Sequence, residues 1–206
     1  MKQYVKWIGM LAFVLWTCIS HIEAKEMDNV ISYRVTRSDY TFSTIFDMAT
    51  DKNLVGSVVK SVFHIATHYD AYDRFGIYEG EGICRLFCLG LFYTWGTEID
   101  LYNAEGEKVG MIDGQVMSSE TAQFSFYDAF GQRVAIGYLD QNCMGFSLVD
   151  PNNSSFILAR LSRNFILDTI DNWDVVIYHP ERISPRLVKI FAAFACDTQN
   201  KFKPDL

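Results

Sequence analysis

The chain is poor in the residues that mark linkers and disulfide scaffolds. Its 206 residues include four prolines and five cysteines, and no proline-rich or low-complexity segment divides them. Small domains held together by disulfides are much richer in cysteine. Half of the residues are apolar, and a chain of this length can bury one sizeable core. We therefore expect a single globular domain stabilised by apolar packing.

Positive charge is also scarce. The chain has 18 Lys and Arg against 25 Asp and Glu, for a net charge of −7. Proteins that bind nucleic acid obtain most of their affinity from a basic face, and anionic membrane surfaces attract basic segments. We expect no nucleic-acid partner and no general electrostatic attraction to anionic membranes.

Signatures of common active sites are missing. The stretch Gly80-Glu81-Gly82 lacks the third glycine of a dinucleotide loop, and neither a Gly-x-Ser-x-Gly elbow nor a phosphate loop occurs. Cys143 and His179 are a conceivable nucleophile and base, but nothing in the sequence brings them together. We predict a protein that is not an enzyme and uses no cofactor.

The N-terminus has the order of a secretory signal peptide. Lys2 and Lys6 precede an apolar run from Trp7 to Ile19, and Ala24 offers a small residue for cleavage. We predict a signal peptide over residues 1–24 and export to the periplasm or the extracellular space. An uncleaved membrane anchor is the alternative. The remaining domain, residues 25–206, has 16 basic and 24 acidic side chains.

Four cysteines follow the predicted signal peptide, at positions 84, 88, 143 and 196. An even number in an exported protein permits disulfides. The pattern places Cys84 and Cys88 on one face of a single strand, about 13 Å apart, which is too far for a disulfide between them. We expect the four cysteines to act as small buried hydrophobic residues.

A repeated unit indicates β-hairpins. Each unit is an alternating strand that ends in Asp or Asn, followed by two residues and then Gly or Asn, a turn chemistry typical of hairpins. The turn acids and amides recur at intervals of 30, 25 and 22 residues, at Asp73, Asn103, Asp128 and Asp150. Further strands are predicted in 54–65, 108–116, 133–139, 155–161 and 173–178. The total is about a dozen, nearly all joined by tight turns and therefore antiparallel.

The C-terminal region predicts a helix of unusual character. Ser184 suits an N-cap and Pro185 the first helical position, and from Leu187 to Cys196 only Lys189 is polar. A helix that is apolar on every face is buried or lies in a membrane. Residues 185–196 would span only about 18 Å, which is too short for a bilayer.

The hairpins and the helix together predict the fold class: mainly β, a closed antiparallel barrel of about twelve strands around a central helix at 185–196. Closure removes the exposed strand edges, and a barrel of that size has room for a helix. Because the helix fills the interior, we expect no small-molecule cavity like that of a lipocalin.

These features resemble the LURP-one-related proteins of the tubby-like superfamily, which also includes the phospholipid scramblases. The resemblance covers about residues 30–200 and rests on the hairpin units from Tyr69 onward, the stretch Asp171-Asn172-Trp173, Ile183 and the helix around Ala192–Asp197. It implies a twelve-stranded barrel around a hydrophobic C-terminal helix and an association with lipids. The cytosolic relatives lack a secretory signal peptide, whereas one is predicted here. Tubby proteins bind phosphoinositides through a basic patch, and no such patch can be assigned in this acidic chain.

Two sets of residues are candidate metal ligands. His64 and His68 are four apart with Asp70 nearby, but the valine-rich surroundings favour a strand that would hold the rings about 13 Å apart. Asp168, Asp171 and Asp174 could bind calcium if their loop folded back, although they lack EF-hand spacing. Turn and strand-edge carboxylates are the simpler interpretation, so we predict no metal.

Three hypotheses for the function follow. The first is an exported, non-enzymatic barrel that binds an envelope protein or a phospholipid head group through its outer surface. The second is a scramblase-like lipid-handling protein whose apolar helix leaves the barrel. The third is a metal-dependent hydrolase that uses His64, His68 and Asp70.

Overall fold

A computed structural model describes residues 30–93, 96–116, 122–140, 145–166 and 170–199, without the side chains of residues 116, 165, 166, 170 and 171. The described residues from Ile31 onward form one compact unit. The predicted signal peptide, residues 1–24, lies outside them. Within these ranges, the helices lack the length and hydropathy that a membrane-spanning helix requires.

Twelve antiparallel strands close into a barrel, which confirms the predicted fold class. Each strand in the described chain pairs with its neighbours in sequence, and the first also pairs with the last, for example Ile31 with Ile177. The strands are β1 (Ile31–Asp39), β2 (Ser43–Ala49), β3 (Leu54–Ser61), β4 (His68–Asp73), β5 (Tyr78–Cys84), β6 (Glu98–Asn103), β7 (Lys108–Val116), β8 (Ala122–Asp128), β9 (Arg133–Leu139), β10 (Gly145–Asp150), β11 (Asn153–Ile166) and β12 (Ile170–Ile177).

The repeated turns are stabilised as their sequence predicts. Asp73 Oδ1 accepts hydrogen bonds from the backbone N–H groups of Phe75 and Ile77, both at 2.8 Å. Gly76 takes a positive φ of 76°, which side-chain-bearing residues rarely adopt. The β8–β9 turn repeats this arrangement around Asp128 and Gly131. In the β6–β7 turn Asn103 Oδ1 accepts a hydrogen bond from the N–H of Glu107, and Gly106 again has a positive φ. The turn chemistry therefore fixes where successive hairpins reverse.

Two predicted strand extensions are wrong. β3 ends at Ser61 rather than at Ile65, and β5 ends at Cys84, so that Cys88 instead precedes a short 3₁₀ helix at Leu89–Leu91. Both segments are rich in apolar residues, which in a sequence pattern resemble a buried strand. In the structure these residues lie in exposed loops.

The C-terminal helix α1 (Pro185–Thr198) is buried on all sides. Every side chain from Leu187 to Cys196 is less than a tenth exposed. The ring of Phe191 lies 4.9 to 5.0 Å from three aromatic rings of the barrel wall, those of Phe124, Phe126 and Phe146. Ser184 makes no side-chain capping bond, so the predicted N-cap interaction is absent although the helix begins where expected.

Glycines in the wall let the helix approach closely. A Cβ atom at Gly82 would lie 2.6 Å from Ile190 Cγ2, and one at Gly56 would lie 2.6 Å from Lys189 Nζ. Lys189 is the charged residue within the apolar stretch, and its ammonium group bonds Glu79 at 2.7 Å and a backbone carbonyl at 2.6 Å. These bonds offset the cost of removing the charge from water.

The end of the helix is anchored to the strands by Asp197. Its carboxylate bonds Lys60 Nζ at 2.6 Å and Tyr69 Oη at 2.9 Å, and Arg37 lies 3.7 Å away. A carboxylate near a helix C-terminus is unfavourable because of the helix dipole, so the two cations offset that repulsion. Burial, followed by the charge of Asp197, raises the pKa of Tyr69.

We predict that Phe191→Ala lowers the free energy of unfolding by about 3–5 kcal/mol, because it leaves a cavity between three rings. Ala192→Lys should prevent folding by burying an unpaired charge. Phe130→Ala is the matched control: that ring is 94% exposed, so its loss should change stability by less than about 0.5 kcal/mol. Urea unfolding followed by tryptophan fluorescence measures all three. Equal midpoints for Phe191→Ala and the wild type would contradict an enclosed helix.

Candidate functional site

Three neighbouring loops share one end of the barrel. In an up-and-down barrel every second connection lies at the same end. The β1–β2, β3–β4 and β5–β6 loops are therefore neighbours at one end of the barrel. The C-terminal end of α1 lies there as well, because Asp197 bonds Lys60 near the end of β3. The connections β7–β8, β9–β10 and β11–β12 at this end fall largely outside the described residues.

These loops expose large apolar side chains. Ile65 and Phe87 are each 93% exposed and Phe92 is 80% exposed. We call the exposed apolar side chains of the three loops the apolar rim. Its members are Tyr40, Phe42, Val62, Phe63, Ile65, Leu86, Phe87, Leu89, Leu91, Phe92 and Tyr93.

The rim is one surface rather than three separate tips. The rings of Phe42 and Phe63 stack with centroids 5.6 Å apart, and the N–H of Val62 donates to the carbonyl of Phe42 at 3.2 Å. Ile65 then lines a cavity together with Leu86 and, among others, Leu91 of the β5–β6 loop. The apolar side chains of adjacent loops are therefore contiguous, and contiguous exposed apolar surface marks interaction sites.

The opposite end of the barrel exposes fewer large apolar side chains. Phe75 and Ile77 share the β4–β5 turn, Leu54 begins β3, and Phe130 lies in the β8–β9 turn. Between Phe75 and Phe130 lies the β6–β7 turn, whose Ala104 and Glu105 present little apolar surface. Because the rim gathers more exposed apolar side chains, it is the better candidate for a binding site.

A cavity of about 230 Å³ lies at the base of the rim, beside the end of α1. Its polar lining includes Lys60 and Asp197, which already bond each other. It also includes the thiol of Cys84, whose pKa is raised to about 12 by burial, so the thiol stays protonated at neutral pH. Pockets for drug-sized ligands are about 300–1,000 Å³. The cavity is therefore smaller than a typical ligand site, and the exposed rim offers more surface.

Cations near the rim are paired with carboxylates. Arg85 bonds Asp100 at 2.7 Å and also Glu98. Asp100 is bonded in turn by Lys108, which begins β7 on the side away from the rim, at 2.5 Å. Burial alone would raise the pKa of Asp100, but the hydrogen bonds from Arg85 and Lys108 outweigh it and lower the pKa. Arg37 bonds Asp39 at 2.9 Å. These cations are thus largely neutralised and contribute little free positive potential.

The structure brings the candidate histidines together. The predicted separation of His64 and His68 is wrong: because β3 ends early, His64 lies in the β3–β4 loop and its ring stacks on that of His68 at 4.0 Å. A ring nitrogen of His68 and carboxylate oxygens of Asp70 and Glu81 lie within 4.8 Å of one another. Glu81 belongs to this cluster although it is not among the ligands predicted from the sequence. The hairpin register, in which Asp70 faces Glu81, is the signal that could have found it.

The calcium candidates are only partly described. Asp168 and the side chain of Asp171 lie outside the described residues. Asp174 bonds Arg34 at 2.8 Å and accepts a hydrogen bond from Asn164. Burial would raise the pKa of Asp174, but these hydrogen bonds outweigh it and lower the pKa. Its carboxylate is thus engaged by neighbouring strands.

One member of the other catalytic candidate pair, Cys143, lies outside the described residues. The second member, His179, has its Nδ1 3.1 Å from a carboxylate oxygen of Glu181. Cys84 and Cys88 are free thiols.

No protein-family model matches the chain, and no curated protein matches it.

Proposed function

We propose that the protein is a non-enzymatic binding barrel that attaches to phospholipid membranes through the apolar rim. The main observation that supports the proposal is that large apolar side chains on three adjacent loops are exposed and form one contiguous surface. In this proposal the chain is exported, as the order of residues in 1–24 predicts. It is also a relative of the LURP-one-related and tubby-like barrels, a kinship favoured by the twelve strands around a C-terminal helix.

The chemistry of the rim suits a lipid surface. Burial of apolar surface is worth about 25 cal/mol per Å², and full burial of one Phe or Leu side chain about 1.5–3 kcal/mol. Phe87, Ile65 and Phe92 are among the most exposed side chains described, so their transfer into the acyl boundary would recover much of that energy. Tyr40 and Tyr93 add aromatic rings with a polar end, which favour the interface between head groups and acyl chains.

Attachment through the rim should depend on apolar insertion more than on charge. Arg85, Lys60 and Arg37 each bond carboxylates of the same chain. Binding should therefore need no anionic lipid and should weaken little with salt, whereas binding through a basic patch is screened within about 10 Å at 0.1 M salt.

A scramblase-like role in which α1 leaves the barrel is less favoured. Release would expose Phe191 and its neighbours to water and would break the bonds of Lys189 and Asp197. The rim is already exposed and needs no such rearrangement.

Vesicle flotation tests the proposal. We predict that the full-length protein floats with phosphatidylcholine vesicles, with or without added phosphatidylserine or phosphoinositide, at both low and high salt. Phe63→Ser combined with Phe92→Ser should lower the partition coefficient at least about tenfold, because two exposed aromatic rings no longer insert.

The matched control is Phe75→Ser combined with Phe130→Ser at the opposite end, which should float like the wild type. Both double variants carry the same N-terminal residues, so an apolar leader cannot account for a difference between them. Equal flotation of the two variants, or no binding of the wild type to any vesicle, would refute the proposal. No binding would instead favour an envelope protein as the partner of the rim.

A further inference from the structure

We propose that His68, Asp70 and Glu81 form a binding site for a divalent transition-metal ion, of which zinc is the probe of choice. The three side chains project from the outer face of the β4–β5 hairpin. One potential ligand atom from each lies within 4.8 Å of the others. The site does not depend on membrane binding by the rim.

The spacing is close to that of a coordination sphere. Ligands about 2.0 Å from a tetrahedral zinc ion stand about 3.3 Å from one another. His68 Nδ1 and Glu81 Oε2 are already 3.0 Å apart, and small rotations about the Asp70 side chain would bring its oxygen closer. The strands hold two of the three ligands rigidly, because Asp70 and Glu81 are direct partners in the hairpin register.

Electrostatics favour a cation at this position. Like charges directly opposite each other on antiparallel strands are destabilising. The acidic residues of the next hairpin, Glu98 and Asp100, receive their counter-charge from Arg85 and Lys108. Among the described residues, no lysine or arginine forms an ion pair with Asp70 or Glu81. A bound divalent ion would supply the missing positive charge.

His64 orients the ligand histidine rather than completing the set. The rings of His64 and His68 are nearly parallel, with 14° between their planes. Imidazole lone pairs lie in the ring plane, so two stacked rings cannot both direct a nitrogen at one ion. Three protein ligands then leave a fourth position for water. The mixed imidazole and carboxylate set suits zinc and similar ions better than calcium, which prefers oxygen ligands.

Isothermal titration with Zn²⁺ alone, on the full-length protein without an affinity tag, tests the site. We expect one bound equivalent whose dissociation constant rises at least tenfold in His68→Gln and in Glu81→Gln. His179→Gln is the matched control because that histidine pairs with a single carboxylate, Glu181, at 3.1 Å, and it should bind zinc like the wild type.

Both ligand substitutions lie on the outer face, and circular dichroism would show that they leave the barrel folded. Zinc affinity that is unchanged in His68→Gln and Glu81→Gln would overturn the proposal, as would the absence of binding by the wild type at millimolar zinc. Flotation is not part of the readout, so failure of the metal site would leave the proposed membrane attachment standing.

Discussion

The enclosure of α1 by twelve strands is the constraint on which the rest of the structure depends. Phe191 fills the middle of the barrel against three wall aromatics, and glycines of the wall, such as Gly82, permit the close approach. A helix this apolar could not remain in water, and a barrel this wide would be hollow without it. Because the helix occupies the interior, binding chemistry is left to the loops and the outer face.

The two proposed activities meet in one short segment. The β3–β4 loop carries Phe63 and Ile65 of the apolar rim, and between them His64, whose ring stacks on the proposed metal ligand His68. The loop is thus held at both sides, by the stacking of Phe42 on Phe63 and by the pair of histidines. An ion at His68 would lie next to the surface that we propose contacts lipid.

Sequence was sufficient for the architecture because the determining signals are local. The Asp73 and Asp128 turns bond their own backbone, and the helix from Pro185 is apolar on every face. The candidate site was harder to predict from the sequence, because exposed apolar loops and buried strands have the same composition. Because of that ambiguity, the sequence wrongly predicts that β3 continues to Ile65 and that Cys88 lies on a strand. Glu81 joins the proposed metal ligands only through strand register, which the hydrophobic pattern alone does not specify.

Hydrogen exchange measured with and without phosphatidylcholine vesicles tests the central claim most directly. The account predicts that the amides of residues 187–196 are among the best protected in both conditions, because α1 stays enclosed. It also predicts that residues 62–65 and 86–93 gain protection when vesicles are added. Loss of protection in the helix on vesicle binding, with no change in the loops, would contradict both the permanent core and the role of the apolar rim.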